Sequence, residues 1–316
     1  MPVSCSTIIP VYNRATDLCR LLESLKKQRY SGSWAIVVVD DASTEQTETA
    51  IRKFVNDTAD PIVHYLRLAK NQGPSVARNA GARVAHGDFL WFLDSDAEVD
   101  SVDLLTQMIR AFEEHPGVRI VGGEKVELDG TLCMQRLTHS RNLFFQAEFV
   151  PECDAEAYSP RIIPSSNLMI RRTDFNQVGG FREDLEYLED NDLCLRVTTS
   201  EQELLTQPNT CVVHHLSHEG RDALAGSQHY IYQYAKKFHR SRVRVIVANR
   251  LLPRLLVPAF DLYYGLRTLV AEMAERRITR VASRKIGHNI SVPLYAAYHA
   301  LGIVSGYRAI FQKCSP

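Results

Sequence analysis

Two aspartates, Asp94 and Asp96, stand just past the apolar run Phe89-Leu90-Trp91-Phe92-Leu93. Carboxylates at this spacing reach one locus if the chain turns there. Hard oxygen donors suit Mg2+ or Mn2+ and leave coordination positions for phosphate oxygens. The bland account is a loop of solvated acids ahead of a helix near Ser101. A second acidic pair, Asp40-Asp41, closes the run 35–39 and leads into Ala42-Ser43. Ser43 with Gln46 forms a plausible capping box, but capping does not explain two adjacent acids. Asp41 could accept a hydrogen bond from a base or ribose.

A third cluster, Glu189-Asp190-Asn191-Asp192, follows the turn Gly179-Gly180-Phe181. Acids are favoured where a helix starts, through capping and the macrodipole. Three acids in four positions exceed that need. A carboxylate in a cleft could act as general base toward a hydroxyl, contributing about 10²–10⁴-fold. Finally, Cys211-Val212-Val213 ends at His214-His215, with His218 close behind. A lone histidine on a strand is more often structural. One at a strand end beside acids can complete a metal shell as neutral imidazole.

The elements that must position these residues alternate. Strand-like runs at 6–11, 35–39, 62–68, 89–93 and 119–126 are separated by helical patterns at 17–28, 45–54, 73–84 and 102–114. Continuous apolar strands between helices predict an α/β fold with a mixed, mainly parallel sheet flanked by helices. Ligands of such sheets sit at the carboxyl ends of the strands, where Asp41, Asp94 and Asp96 collect. The region 127–220 is less regular. It holds a strand-like Arg161-Ile162-Ile163 and a small-residue patch Ser165-Ser166-Asn167.

With 316 residues, 45% of them hydrophobic and 23% charged, the chain is globular. Its formal net charge of zero conceals a division: Gln228 to Pro316 carries 15 Lys+Arg against three acids, and the remainder 22 against 34. The reading is therefore a domain over 1–226, with halves 1–98 and 99–226, followed by a basic helical tail over 227–316. Pro253 and Pro258 interrupt any single long helix there. The uncharged stretch 286–307 contains histidines, Pro293 and glycines, which make a poor spanning helix. Interfacial helices on an anionic membrane surface fit this pattern. A solvated appendage or an oligomer interface is the plainer alternative. No nucleic-acid motif accompanies the charge, so nucleic acid is not expected as a partner. Seven scattered cysteines without CxxC spacing and no signal-peptide pattern point to reduced thiols in a cytoplasmic protein, peripheral at the inner face of the cell membrane. GxGxxG is missing after the first strand, which argues against a dinucleotide oxidoreductase.

Taken together, the first 220 or so residues resemble family 2 glycosyltransferases of the GT-A fold. The resemblance rests on Ile8-Ile9-Pro10-Val11-Tyr12-Asn13, Asp40-Asp41-Ala42-Ser43, and Asn71-Gln72-Gly73 through Ala77-Arg78-Asn79. It continues in Phe92-Leu93-Asp94-Ser95-Asp96, Gly179-Gly180-Phe181 and Glu189-Asp190-Asn191-Asp192-Leu193. It implies that Pro10, Tyr12 and Asp41 hold the nucleotide base and ribose of a nucleotide-sugar donor, usually a UDP-sugar. Arg78 would lie near the donor phosphates and Asp94 near the ribose or sugar. Asp96 would bind Mn2+ or Mg2+ with His214 as its protein partner, and His215 as the alternative. Asp190 matches the family's general base for inverting transfer to a glycan or lipid-linked acceptor. The chain departs from the family's processive synthases, since a QxxRW-type motif and long transmembrane helices are both missing after Asp192. Non-processive addition is therefore expected. A sugar-nucleotide-binding scaffold that recruits partners through its tail is the non-catalytic alternative.

Overall fold

The computed structural model describes residues 4–56, 62–123, 125–127, 134–137, 147–150, 162–200, 203–207, 210, 212–215 and scattered positions between 237 and 249. In chain order the first half comprises β1 (Cys5–Val11), α1 (Ala15–Leu25), β2 (Trp34–Asp40), α2 (Glu45–Asn56), β3 (Ile62–Arg67), α3 (Pro74–Val84), β4 (Phe89–Leu93), β5 (Ala97–Val99) and α4 (Leu104–Glu114). There follow β6 (Ile120–Gly122), β7 (Lys125–Glu127), β8 (Met134–Leu137), β9 (Ala147–Val150), β10 (Asn167–Arg171), α5 (Arg172–Gln177), α6 (Glu189–Val197), β11 (Leu204–Thr206) and β12 (Val212–His214).

The main sheet has seven strands in the order β11-β6-β10-β4-β1-β2-β3. Every neighbouring pair is parallel except those made by β10, which runs antiparallel to both β4 and β6. A second sheet has the order β5-β12-β7-β8-β9. The expected mixed, mainly parallel architecture is present.

The continuous apolar strands are explained by burial on both faces. Successive side chains point to opposite sides of a strand, so each run divides between two cores. On one side Ile9, Val11, Ile36, Val38, Trp91 and Met169 pack with Leu18, Leu21 and Leu22 of α1 and Met108 and Phe112 of α4. On the other, Ile8, Val37, Val39, Phe92, Leu168 and Ile170 pack with Ala77 and Ala80 of α3, Phe181, and Leu193 of α6. At about 25 cal/mol per Å² of apolar area removed from water, this double burial dominates the favourable side of folding.

Several local readings are corrected. The segment 119–126 is not one strand. β6 ends at Gly122 in the main sheet, and β7 starts at Lys125 in the second. The switch is made at Gly123, where a Cβ would lie 1.7 Å from the Thr210 carbonyl oxygen and 2.2 Å from Asn167 Nδ2. Ile162 and Ile163 are irregular, and the strand of this region is β10, four residues further on. α2 opens at Glu45, so Thr44 takes the N-cap position, and the Ser43 hydroxyl accepts the Asn13 N–H at 2.9 Å instead of building the capping box. Cys5, Cys19 and Cys194 are free thiols, the first and last buried.

The chain divides into two compact units, Met1–Glu183 with Glu189–Asp222, and Asp184–Leu188 with Ala223–Pro316. Within the second, the buried Ser241 hydroxyl accepts the N–H groups of Glu186 (3.2 Å) and Tyr187 (3.3 Å), and Lys237 pairs with Glu186. Described positions from 237 to 248 are helical. The rest of the tail, including the stretch 286–307 and the 226/227 boundary, lies outside the described residues. Among the described residues no helix is long and apolar enough to cross a membrane.

Candidate functional site

The register of the main sheet brings the strand ends to one edge. Val11 faces Asp40 and Ile8 faces Phe92, so β1, β2 and β4 finish together, and antiparallel β10 begins there with Asn167 opposite Leu93. Two left-handed residues turn the chain immediately past β1 and β2, Asn13 (φ 53) and Ala42 (φ 60). Asparagine tolerates this conformation; alanine is strained in it, as backbone at functional sites often is. The turns are tied together, since the Thr44 N–H donates to Asn13 Oδ1 at 2.8 Å. Pro10 lies half-buried in β1, and the Tyr12 ring beyond it is exposed.

The pair Asp40-Asp41 has divided labour. Asp40 is fully buried and structural, accepting from the Ser43 N–H (2.8 Å), the Tyr65 hydroxyl (2.6 Å) and Arg67 (2.7 Å). Asp41 accepts the N–H groups of Gln72 (2.8 Å) and Gly73 (2.7 Å), which fixes the turn that starts α3. Burial pushes its proton affinity up, against those two N–H groups. Each carboxylate oxygen keeps a second lone pair for a ligand donor.

Arg78 of α3 is the hub of the edge. It is 3% exposed; Nη2 donates to Asp94 at 2.7 Å and Nη1 to Glu189 at 2.9 Å, with the Phe181 ring 5.4 Å from the guanidinium. Burial opposes its charge, and the two carboxylates outweigh that opposition. Beside it, Asn79 Nδ2 donates to the Phe181 carbonyl and Asn79 Oδ1 accepts the Phe181 N–H. This exchange fastens the Gly179-Gly180 turn to α3.

The acids that open α6 also separate by role. Asp192 is fully buried and held by Arg196 at 2.6 Å, whose other donors cap the carbonyls of Val178 and Gly180. Glu189 belongs to Arg78. Asp190, reached through left-handed Leu188 (φ 63), accepts the N–H groups of Asn191 (2.8 Å) and Ser165 (3.3 Å). Burial first, and the neighbouring Glu189 charge second, raise its proton affinity to about 7; the two N–H groups and Arg78 act the other way. A base poised near neutrality is suited to taking a proton from a hydroxyl.

Asp94 and Asp96 flank the tight turn between β4 and β5, which is closed by the Ala97 N–H to the Asp94 carbonyl at 3.1 Å. The Asp96 carboxylate accepts from Arg14 Nη1 at 2.9 Å. The Asp96 carbonyl accepts the His215 N–H at 2.9 Å, and His214 pairs with Ala97, so the backbone brings both histidine positions to this turn. The His215 ring goes to Glu98, with Nε2 2.6 Å from Oε2. The His214 side chain lies outside the described residues. Among the described residues no three His, Cys, Asp or Glu side chains gather as a metal set. The carboxylate oxygens at the turn are the hard donors a divalent cation takes, and each is paired with an arginine, Asp96 with Arg14 and Asp94 with Arg78. In donor chemistry Asp96 therefore suits Mn2+ or Mg2+.

Buried polar atoms on the segments that meet at this edge await a partner. Ser75 Oγ in the first turn of α3, Arg78 Nε, and Ser166 Oγ just before β10 have no hydrogen-bond partner among the described residues. Such atoms mark where a polar ligand would be welcome. Sequence reasoning overlooked Arg14, Glu189 as the partner of Arg78, and Ser165. The visible signal for Arg14 was a cation directly after a strand-end turn, and for Ser165 its place in a small-residue patch.

The Glycosyl transferase family 2 model matches residues 6–179 of this chain. A pre-mycofactocin glycosyltransferase of Mycobacterium tuberculosis is 30% identical over 228 residues, which are 71% of this chain and 45% of that protein. A Campylobacter jejuni GalNAc(5)-diNAcBac-PP-undecaprenol beta-1,3-glucosyltransferase is 32% identical over 127 residues, 40% of each chain. The chain thus spans about half the length of the curated relatives it matches. Among solved structures, the mannosyltransferase PcManGT from Pyrobaculum calidifontis, in complex with GDP-Man and Mn2+, superimposes with a TM-score of 0.61 at 18% identity, covering 100% of this chain and 89% of its own. At that identity the likeness concerns the fold.

Proposed function

The chain belongs to glycosyl transferase family 2, and from that premise we propose that it moves a sugar from a nucleotide-diphosphate donor, a UDP-sugar, to an acceptor hydroxyl with inversion. The observation that carries the reading is the Arg78 bridge. One guanidinium joins Asp94 at the end of β4 to Glu189 at the start of α6, and so holds the donor end of the site to the helix that bears Asp190.

In this reading Pro10, Tyr12 and Asp41 receive the base and ribose, with the exposed Tyr12 ring available for stacking. Asp94 meets the ribose or sugar, and Arg78 adds positive charge beside the phosphates. Asp190 takes the proton of the acceptor hydroxyl. That oxygen bonds to the anomeric carbon from the far side as the bond to the diphosphate breaks, and the nucleoside diphosphate leaves with the electron pair. Asp96 and His214 would hold Mn2+ or Mg2+, which when bound would supply positive charge against that growing on the leaving diphosphate. Asp190→Asn should reduce transfer about 10²–10⁴-fold while donor binding stays normal. Near-wild-type transfer by that variant would remove the base, and full activity in excess EDTA would remove the metal.

The acceptor in this reading is a glycan or a lipid-linked saccharide, and addition is non-processive. The undecaprenol-linked substrate in the name of the Campylobacter relative and the 15 Lys+Arg between Gln228 and Pro316 support that choice. The tail would then rest on the anionic inner face of the cell membrane. The full chain should float with phosphatidylglycerol vesicles, and Arg276→Glu with Arg277→Glu should weaken flotation; equal flotation of both forms rejects the tail assignment.

A further inference from the structure

Arg14 follows the turn that ends β1 and reaches the β4–β5 turn, where Nη1 lies 2.9 Å from Asp96 Oδ2. Both side chains are only 11% exposed, so the pair is largely withdrawn from water. The same Nη1 is 3.4 Å from Asp17 Oδ2, and Asp17 also holds Arg20 at 3.0 Å. If Arg14 turns away, Asp17 therefore keeps a cation.

We propose that Arg14 is the resident counter-cation of Asp96, displaced when a divalent metal binds, so that Arg14 competes with the metal and sets how tightly it is held. The inference rests on the reading of Asp96 as the metal ligand. Its physical basis is twofold. In the metal-free protein a carboxylate this enclosed, near Asp94 and Asp17, needs compensating charge to remain in place. A guanidinium and a divalent ion sharing one carboxylate stand within about 5 Å of each other, and at the effective dielectric of a protein their repulsion exceeds thermal energy several-fold. Asp17 and Arg20 give the exchange a direction, because Arg14 can withdraw toward a carboxylate it already touches.

The test is Mn2+ binding to the full chain, followed by the EPR signal of the free ion, with thermal unfolding measured with and without Mn2+. Arg14→Gln should bind Mn2+ at least about tenfold more tightly than wild type. It should melt lower without metal and show a larger Mn2+-induced rise in Tm. Asp96→Asn should lose the site. Equal or weaker binding by Arg14→Gln overturns the inference, since the guanidinium would then be supporting Asp96 for the metal. Undiminished binding by Asp96→Asn overturns the metal reading of Asp96, and the inference with it. If Arg14→Gln does not fold, the wild-type protein gives the answer. The Arg14 side-chain 15N resonance should change as Mg2+ is added, with the half-saturation of metal binding, and an unchanged resonance overturns the proposal.

Discussion

The guanidinium of Arg78 meets the carboxylate of Glu189 at 2.9 Å across 111 residues of sequence. Its other fork lies 2.7 Å from Asp94. A single buried cation thus connects a strand-end acid to the first turn of the helix that carries Asp190. The contact sets the charge that Asp190 experiences, since Glu189 raises its proton affinity and Arg78 lowers it.

The first consequence is a pH dependence with a defined sign. In the proposed mechanism Asp190 serves as a base only when ionised, and its proton affinity is raised to about 7. Transfer should therefore fall as pH drops through about 7 and level off above it. Glu189→Gln removes one of the raising influences, so the acid limb of the rate profile should move to lower pH. An unmoved limb would mean that a group other than Asp190 controls it.

Removing Arg78 should be costly to stability. Arg78→Met leaves Asp94 and Glu189 facing each other with no shared cation. The expected loss is about 3 kcal/mol, the low end for a broken buried pair, because the Asp94 side chain is 32% exposed and solvent takes up part of the charge. Urea unfolding measures it. The same variant should shift the acid limb of the rate profile upward, opposite to Glu189→Gln.

The two histidines should behave differently. The His215 ring is committed to Glu98 at 2.6 Å. His215→Ala should accordingly leave Mn2+ affinity close to wild type, whereas His214→Ala should weaken it by about tenfold or more, since even the loss of an outer-shell partner of a metal typically costs about 10–100-fold. Equilibrium titration with Mn2+ decides between them, and the reverse order would reassign the ligand.

Gly123→Ala should destabilise the fold by about 3 kcal/mol or more, beyond the usual cost of an added methyl group. The new Cβ would collide with the Thr210 carbonyl oxygen, a backbone atom, and with Asn167 Nδ2. Neither can withdraw freely. Asn167 Nδ2 donates to that same carbonyl at 2.7 Å, and Asn167 Oδ1 accepts the buried Trp91 Nε1–H at 3.0 Å. Calorimetric Tm and far-ultraviolet circular dichroism would register the loss. An unchanged Tm would mean that the crossing between the two sheets is looser than described.

Much of the architecture was legible in the sequence because its causes are local. Runs such as Ile36-Val37-Val38-Val39 and Phe89-Leu90-Trp91-Phe92-Leu93 require burial on both faces, and the helical patterns between them require parallel pairing. That pattern alone puts Asp41, Asp94 and Asp96 at the strand ends. The break at Gly122-Gly123 was not legible, nor was the antiparallel insertion of β10. Both depend on what lies opposite, Thr210 for Gly123 and Leu93 for Asn167, and strand partners distant in sequence leave no mark on the local pattern.

The same limit governs the site. The sequence by itself determined which acids are present and that they cluster at strand and helix ends. Only the tertiary structure decided what each one does. Asp40 and Asp192 are neutralised by Arg67 and Arg196 and serve the fold. Asp41 holds the Gln72-Gly73 turn, Asp94 and Glu189 share Arg78, and Asp190 is left with a proton affinity near neutrality. Adjacent carboxylates are chemically identical in sequence. Burial and the nearest cation separate them, and those come from residues that only folding brings within a few ångströms.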